Sequence, residues 1–169
     1  MDLEYQKLTK ENYFKVLEIK HKLFPESSSD EDYENYFNNV TKSNYYLILL
    51  NNVPCATIGW YEFDSKNAFI GWFGVLKEFQ NKGIGSQILN YVINEIKLLN
   101  YAYVRVYTDK VENFVSTKLY KKLFDLEEAY TYPDKLGSTG NFVIYSKFLT
   151  NENELWNNRP LNEDDNYNF

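Results

Sequence analysis

The stretch FGVLKEFQNKGIGSQIL, Phe73 to Leu89, changes period halfway along. It opens as an apolar strand. From Gly83 onward, Ile84, Ile88, Leu89, Val92, Ile93 and Ile96 recur at intervals of three and four, which is one stripe of a helix. Between the two lies a polar turn, Gln80 to Ser86, holding Gly83 and Gly85. The first four N–H groups of a helix have no partner within it, and with the helix dipole they form an anion site. Side chains in the first turn would keep a phosphate away, whereas glycine lets it reach the backbone. The turn therefore suits a phosphate or pyrophosphate, with Ser86 adding a hydroxyl and Lys82 a positive charge. The plain alternative is an ordinary strand–helix connection with two glycines, and G-x-G alone does not separate the two.

Competing phosphate motifs can be checked against the residues. A Walker loop needs G-K-S/T, but Ser86 and Gln87 follow Gly85. A Rossmann fingerprint needs a third small residue where Ile88 stands, and its turn should follow a first parallel strand. Here three strands precede the turn, and they read as antiparallel: YYLILL (45–50), CATIGWYEF (55–63) and AFIGWFGV (68–75), separated by the turns NNVP and DSKN. A kinase glycine loop belongs to a much longer chain.

Outward from this centre, Thr9 is a plausible N-cap for a helix carrying Tyr13, Val16, Leu17 and Phe24 on one face and ended by Pro25. Ser29 or Asp30 can cap a second helix through EDYENYFNNV. After the central helix, which ends near Asn100, YAYVRVYT (101–108) alternates like a strand. ENFVSTKLYKKLF is a helix, LEEAYTY a weak strand, PDKLGSTGN a loop and FVIYSKFL (142–149) a last strand. One more strand fits residues 3–8. Residues 150–169 are polar and acidic, so the domain is expected to span 1–149 with a tail at 150–169, disordered or draped on the surface. Trp156 is the tail's best anchor, on the domain or on a partner, with its own domain preferred.

The chain has 169 residues, which suits one domain with one sizeable core. Its formal charge of −6 disfavours nucleic acid and suits solubility. Cys55 is the only cysteine and sits in an apolar run, so it reads as a buried thiol, with no disulfide and no cysteine zinc cluster. His21 is the only histidine and lies on a surface helix; no metal site is expected. There is no signal peptide and no apolar run long enough for a bilayer, so a cytoplasmic protein with no membrane partner is the default expectation.

Gln80-x-x-Gly83-x-Gly85 after an apolar strand resembles the Q/R-x-x-G-x-G/A acetyl-CoA signature of the GNAT N-acetyltransferase superfamily. Asn113-x-x-Ser116-x-x-Leu119-Tyr120 is similar to that family's second signature, in the right order and separated by a strand. The likeness covers residues 3–149. It implies an α/β (α+β) fold: a mixed, mostly antiparallel sheet of six to seven strands, splayed at its middle and flanked by about four helices. It implies acetyl-CoA as donor cosubstrate, bound through Phe73, Val75, Gln80, Asn81, Lys82, Gly83, Ile84, Gly85, Ser86 and Asn113. The Val75 N–H would face the acetyl carbonyl and Phe73 would hold the pantetheine arm through its backbone. Tyr120 would be the general acid on the departing thiolate.

Two departures stand out. Family members often carry a Glu early in the strand before the turn, where Phe69 stands here. Glu62 and Asp64 are substitutes acting through water, Glu62 being the catalytic candidate. The other departure is Phe124-Asp125, where a glycine often ends the helix. The expected activity is direct acetyl transfer to a primary amine on a small molecule or peptide, and a homodimer is left open. The acidic run from Glu26 to Glu34 favours a cationic acceptor, or is simply a solvated helix start. The alternatives are a non-catalytic acyl-CoA-binding or interaction module of the same fold, for which Phe69 argues, and a nucleotide-binding regulator.

Overall fold

A computed structural model describes residues 1–26, 29–109, 115–131 and 141–157. Seven strands, β1 (Leu3–Lys7), β2 (Ser43–Leu50), β3 (Val53–Glu62), β4 (Asn67–Val75), β5 (Tyr103–Asp109), β6 (Leu126–Thr131) and β7 (Asn141–Phe148), form one sheet in the order β1-β2-β3-β4-β5-β7-β6. Every neighbouring pair is antiparallel except β4 and β5. Four helices flank it: α1 (Tyr13–Leu23), α2 (Glu31–Phe37), α3 (Ile84–Leu98) and α4 (Val115–Leu123). Among the described residues this is the mixed, mostly antiparallel sheet flanked by four helices that the family resemblance implied.

Strand alternation sorts the core into two faces. Ile48, Ile58, Trp60 and Ile70 meet the α3 stripe, with Ile88, Leu89, Val92 and Ile96 all buried. Tyr45, Leu47 and Leu49 point the other way, against Val16 and Ile19 of α1 and Tyr33 of α2. Cys55 is fully buried in the α3-side core, and burial pushes its thiol up to about 11. No helix of the described residues is long and apolar enough to cross a membrane.

The first helix starts later than its sequence pattern suggested. Thr9 and Asn12 bond each other's backbone N–H groups, at 3.3 and 2.8 Å, and Asn12 Nδ2 also donates to the Lys7 carbonyl. This closed turn delays α1 to Tyr13. The second helix is shorter than expected: Asn39 adopts a left-handed φ of 52° and stops it after about two turns. Asp30 stands at its N-cap without a capping bond, because the carboxylate is used on Lys20 at 2.6 Å. Lys20 is itself fully buried, with Nζ 4.1 Å above the Trp72 ring.

Residues 150–157 lie on the sheet. Trp156 is fully buried against Phe63 and Phe69, with ring centroids 4.9 and 5.0 Å away. Its N–H donates to Glu128 at 2.8 Å, and the buried Arg105 donates to the Glu154 carbonyl. Residues 158–169 lie outside the described residues.

A side chain this buried is a structural anchor. Trp156→Ala is expected to destabilise the protein by about 3–5 kcal/mol, measured by denaturant unfolding. Truncation after Leu149 should do at least as much. A melt unchanged by both variants would show the strap to be dispensable.

Candidate active site

The site begins where two strands stop pairing. β4 and β5 are in register from Asn67↔Tyr103 to Ile70↔Val106 and no further. Beyond that point β4 continues to Val75, while β5 follows β7. The cause lies in β4. Between the pairs Gly59↔Gly71 and Thr57↔Gly74, two residues of β4, Trp72 and Phe73, oppose the single Ile58 of β3. Such a bulge bends its strand and increases local twist. Trp72 takes a left-handed φ of 50°, and its carbonyl accepts from Thr57 Oγ1 at 2.9 Å. Consecutive side chains are thereby split: Trp72 joins the α1/α2 side and Phe73 the α3/α4 side.

The splay leaves backbone groups available. The Leu76 N–H donates to the Cys55 carbonyl on the β3 side. Backbone direction alternates along a strand, so the N–H groups of Val75 and Phe73 point to the β5 side, into the gap.

Facing this edge is the start of α3. Gly83 is its N-cap with φ 78°, and no side chain caps the helix. Asn81 is also left-handed, with φ 59°. A cavity of about 590 Å³ is lined by Phe73, Gly74 and Val75 on one side and by Gln80, Asn81, Gly83, Ile84, Gly85 and Ser86 on the other. This is within the usual range for a small-molecule site. Ser116 and Leu119 of α4 and Leu23 and Phe24 at the end of α1 complete the walls. The free N–H groups of the first α3 turn, the positive end of the dipole and an apolar slot therefore converge in one space.

The predicted residues fare differently. Phe73, Val75, Gln80, Asn81, Gly83, Ile84, Gly85 and Ser86 come together here. Gln80 has a further task, since its Nε2 donates to the Val75 carbonyl at 2.9 Å and ties the turn to the end of β4. Lys82 does not line the cavity: its ammonium bonds the Glu78 carbonyl at 3.0 Å. Asn113 lies outside the described residues. Tyr120 packs behind Phe73, with ring centroids 6.2 Å apart, and is only 4 % exposed. Among the described residues its hydroxyl has no hydrogen-bond partner. Burial, helped by nearby Tyr145, raises its pKa well above the ordinary value near 10, so the phenol keeps its proton at neutral pH.

Glu62 is not brought to the cavity. It lies on the α3 side near the far end of β3, opposite Ala68, and its carboxylate accepts a bond from the Tyr101 hydroxyl. Asp64 holds the β3–β4 turn by accepting from the N–H groups of Lys66 and Asn67, each at 2.9 Å. Phe69 is fully buried beneath Trp156, so this position is core rather than site. Sequence reasoning missed Lys118 and Lys122. They sit four apart on α4, line the cavity and bring positive charge to it. Their i, i+4 spacing on the polar face was the available signal.

Two glycines on one turn have separable roles. A Cβ at Gly83 would meet nothing within 4 Å, so Gly83→Ala should cost stability through its left-handed backbone, by about 1–2 kcal/mol, read in a thermal melt. A Cβ at Gly85 would fall 3.0 Å from Leu119 Cδ2 and inside the cavity. Gly85→Val should weaken coenzyme A binding by about tenfold or more in calorimetry. Lys122→Glu should weaken it too, and the loss should shrink as salt is raised.

Comparison with known proteins follows this geometry. A profile described as the Acetyltransferase (GNAT) family matches residues 13–125. No curated protein matches the chain. Among solved structures, a GNAT family acetyltransferase from Elizabethkingia anophelis with acetyl-CoA bound is 22% identical, at a TM-score of 0.62 over 86% of this chain and 97% of that one. Naa50 from Arabidopsis thaliana, in complex with the bisubstrate analogue CoA-Ac-MVNAL, is 19% identical, at 0.72 over 87% and 99%. A Bacillus subtilis acetyltransferase in complex with CoA is 16% identical, at 0.66 over 88% and 98%. At these identities the structures speak for the fold, and the profile, spanning most of the chain, speaks for descent. With the splayed sheet and the glycine-started helix in place, the chain belongs to the GNAT family of acetyltransferases.

Proposed function

We propose that the protein transfers the acetyl group of acetyl-CoA directly to a primary amine, with both substrates bound together. The observation that carries this reading is the shared cavity, where the uncapped start of α3 faces the unpaired edge of β4. The diphosphate of coenzyme A would sit on the N–H groups from Gly83 to Ser86, with Lys118 and Lys122 adding positive charge. The pantetheine arm would run along β4 as a substitute for the missing β5 pairing, bonded by the Phe73 backbone and, in this reading, by Asn113.

The chemistry then follows from what each group offers. The amine nitrogen attacks the thioester carbon, a C–N bond forms and negative charge develops on oxygen. The fixed Val75 N–H stabilises that charge, and one such donor is worth about 3 kcal/mol. As the C–S bond breaks, the sulfur takes a proton from Tyr120. Tyr120 carries its proton when the thiolate leaves, and its hydroxyl has no partner among the described residues, so it is free to hydrogen-bond the sulfur and pass the proton on, although burial makes it a weaker acid than a free phenol. The amine's own proton leaves through water. Glu62 has no direct part in the reading, because its carboxylate is engaged by Tyr101 on the α3 face.

The buried Phe69 favours one rival, a module that binds acyl-CoA without turning it over. Thiol release across a panel of amines separates the two: the enzyme releases coenzyme A with at least one amine, whereas the module is only stabilised by acetyl-CoA. For the enzyme, Tyr120→Phe should lower kcat by about 10²-fold and leave the acetyl-CoA KM nearly unchanged. Because the Tyr120 pKa is raised, loss of its proton should not contribute an alkaline decline in kcat below about pH 10. Equal kcat in the two proteins would remove Tyr120 from the mechanism.

A further inference from the structure

A second, smaller cavity lies on the α1/α2 face of the sheet. Its volume is about 40 Å³ and it is lined by Asp32 and Asn35 of α2, Thr41, Ser43 and Tyr45 around the start of β2, and Tyr61 of β3. The lining is polar, with one carboxylate.

The sequence builds this space with a glycine. Tyr45 pairs across the sheet with Gly59, and Gly59 pairs with Gly71. A Cβ at Gly59 would fall 2.0 Å from Tyr45 Cδ1, so the Tyr45 ring can lie over β3 only because that residue has no side chain. The Tyr61 ring lies over Gly71 at ordinary contact distance, with Cε1 3.6 Å from where a Cβ would be, so that glycine is not required by the ring. Both phenols are laid across the sheet toward Asp32.

Their polar ends are not used internally. Tyr45 is only 2 % exposed, and among the described residues neither its hydroxyl nor that of Tyr61 has a hydrogen-bond partner. Behind the cavity lining, the Tyr33 hydroxyl is buried without a partner among the described residues, its ring 5.1 Å from that of Tyr45. The charge of Asp32 reaches all three phenols and, after burial, helps raise their pKa values. Two phenols that line the cavity without a hydrogen-bond partner among the described residues, one of them on a buried side chain, call with the carboxylate beside them for an occupant that donates hydrogen bonds and carries positive charge. The volume admits one small head group.

We infer that this cavity holds an alkylammonium group, the second charged head of an acceptor that carries two amines. The link to the reacting centre is Trp72. Its indole Nε1 donates to Asp32 Oδ2 at 2.8 Å, and the next residue, Phe73, stands on the open edge of β4. This leaves the other carboxylate oxygen for the ligand. From β2 and β3 to that edge is about two strand spacings, on the order of 10 Å. An acceptor with its two nitrogens that far apart would place one at Asp32 and the other before the thioester. A diamine or polyamine, or a lysine-bearing peptide, fits this description. The inference rests on the acetyl-transfer reading above, and it adds the class of acceptor.

The test uses the full chain, with 1,6-diaminohexane and hexylamine as probes at matched ionic strength. Binding is read by calorimetry on the coenzyme A-saturated protein, and kcat/KM by thiol release. The wild type should prefer the diamine to the monoamine by about tenfold or more. Asp32→Asn should erase that preference, and Tyr45→Phe should reduce it while leaving the Trp72–Asp32 bond intact. Equal use and equal binding of the two probes by the wild type would overturn the inference. So would a preference that survives in Asp32→Asn, or loss of diamine binding on replacing the sodium salt with potassium at constant ionic strength. Coenzyme A binding is scored separately. Diamine binding without coenzyme A binding would sink the acetyl-transfer reading and leave the cavity's occupant standing; the reverse would do the opposite.

Discussion

The whole site depends on a single failure of strand pairing. Parallel strands β4 and β5 share only four register positions, from Asn67 to Ile70. Had they continued, every backbone group of β4 from Gly71 to Val75 would have been used on one side by β3 and on the other by β5. The bulge at Trp72–Phe73 prevents this by turning the strand within its ladder with β3. Unpaired backbone in a protein interior is costly unless something pairs with it. The gap therefore leaves a row of β4 backbone groups open to an extended, hydrogen-bonding guest, which in the proposed reading is the pantetheine arm.

The bulge also assigns the two sides of the sheet their separate work. Phe73 is turned toward α3 and α4, where the cavity, the free N–H groups of α3 and the Tyr120 phenol lie. Trp72 is turned toward α1 and α2, where its indole holds Asp32 and its ring lies beneath the ammonium of Lys20. A one-residue irregularity thus connects the α3/α4 side of the sheet to the α1/α2 side. Lys20 ties together the α1/α2 side. A buried ammonium bonded to the Ser29 carbonyl and to Asp30, with an aromatic face beneath it, ties Ser29 and Asp30 to α1.

Much of the fold and half of the site could be read along the chain. The α3 stripe, the three-strand meander and the glycine turn are local patterns, set by side-chain period and by backbone sterics over a few residues. Eight of the ten expected cofactor residues line one cavity for that reason. Lys82 and Glu62 stand away from this cavity for different reasons, Lys82 through a backbone carbonyl four residues back and Glu62 through a partner that is not local. The Glu78 carbonyl takes the ammonium of Lys82, and Tyr101, nearly forty residues away, takes the carboxylate of Glu62. The delayed start of α1 is a local effect, a Thr9–Asn12 turn that competes with the helix for the same N–H groups.

The sequence by itself determined that a helix would begin at a bare glycine turn after three antiparallel strands, because a left-handed Gly83 and an apolar stripe are properties of the chain over a dozen residues. It also singled out Phe69 as a departure, without saying what would lie against it. Only the tertiary structure decided that Trp156 covers Phe69, that Lys118 and Lys122 face the cavity and that three phenols gather around Asp32. Each of those arrangements joins residues from separate elements. Their free energy comes from burial and from hydrogen bonds that exist only once the sheet has assembled, so no window of sequence contains them.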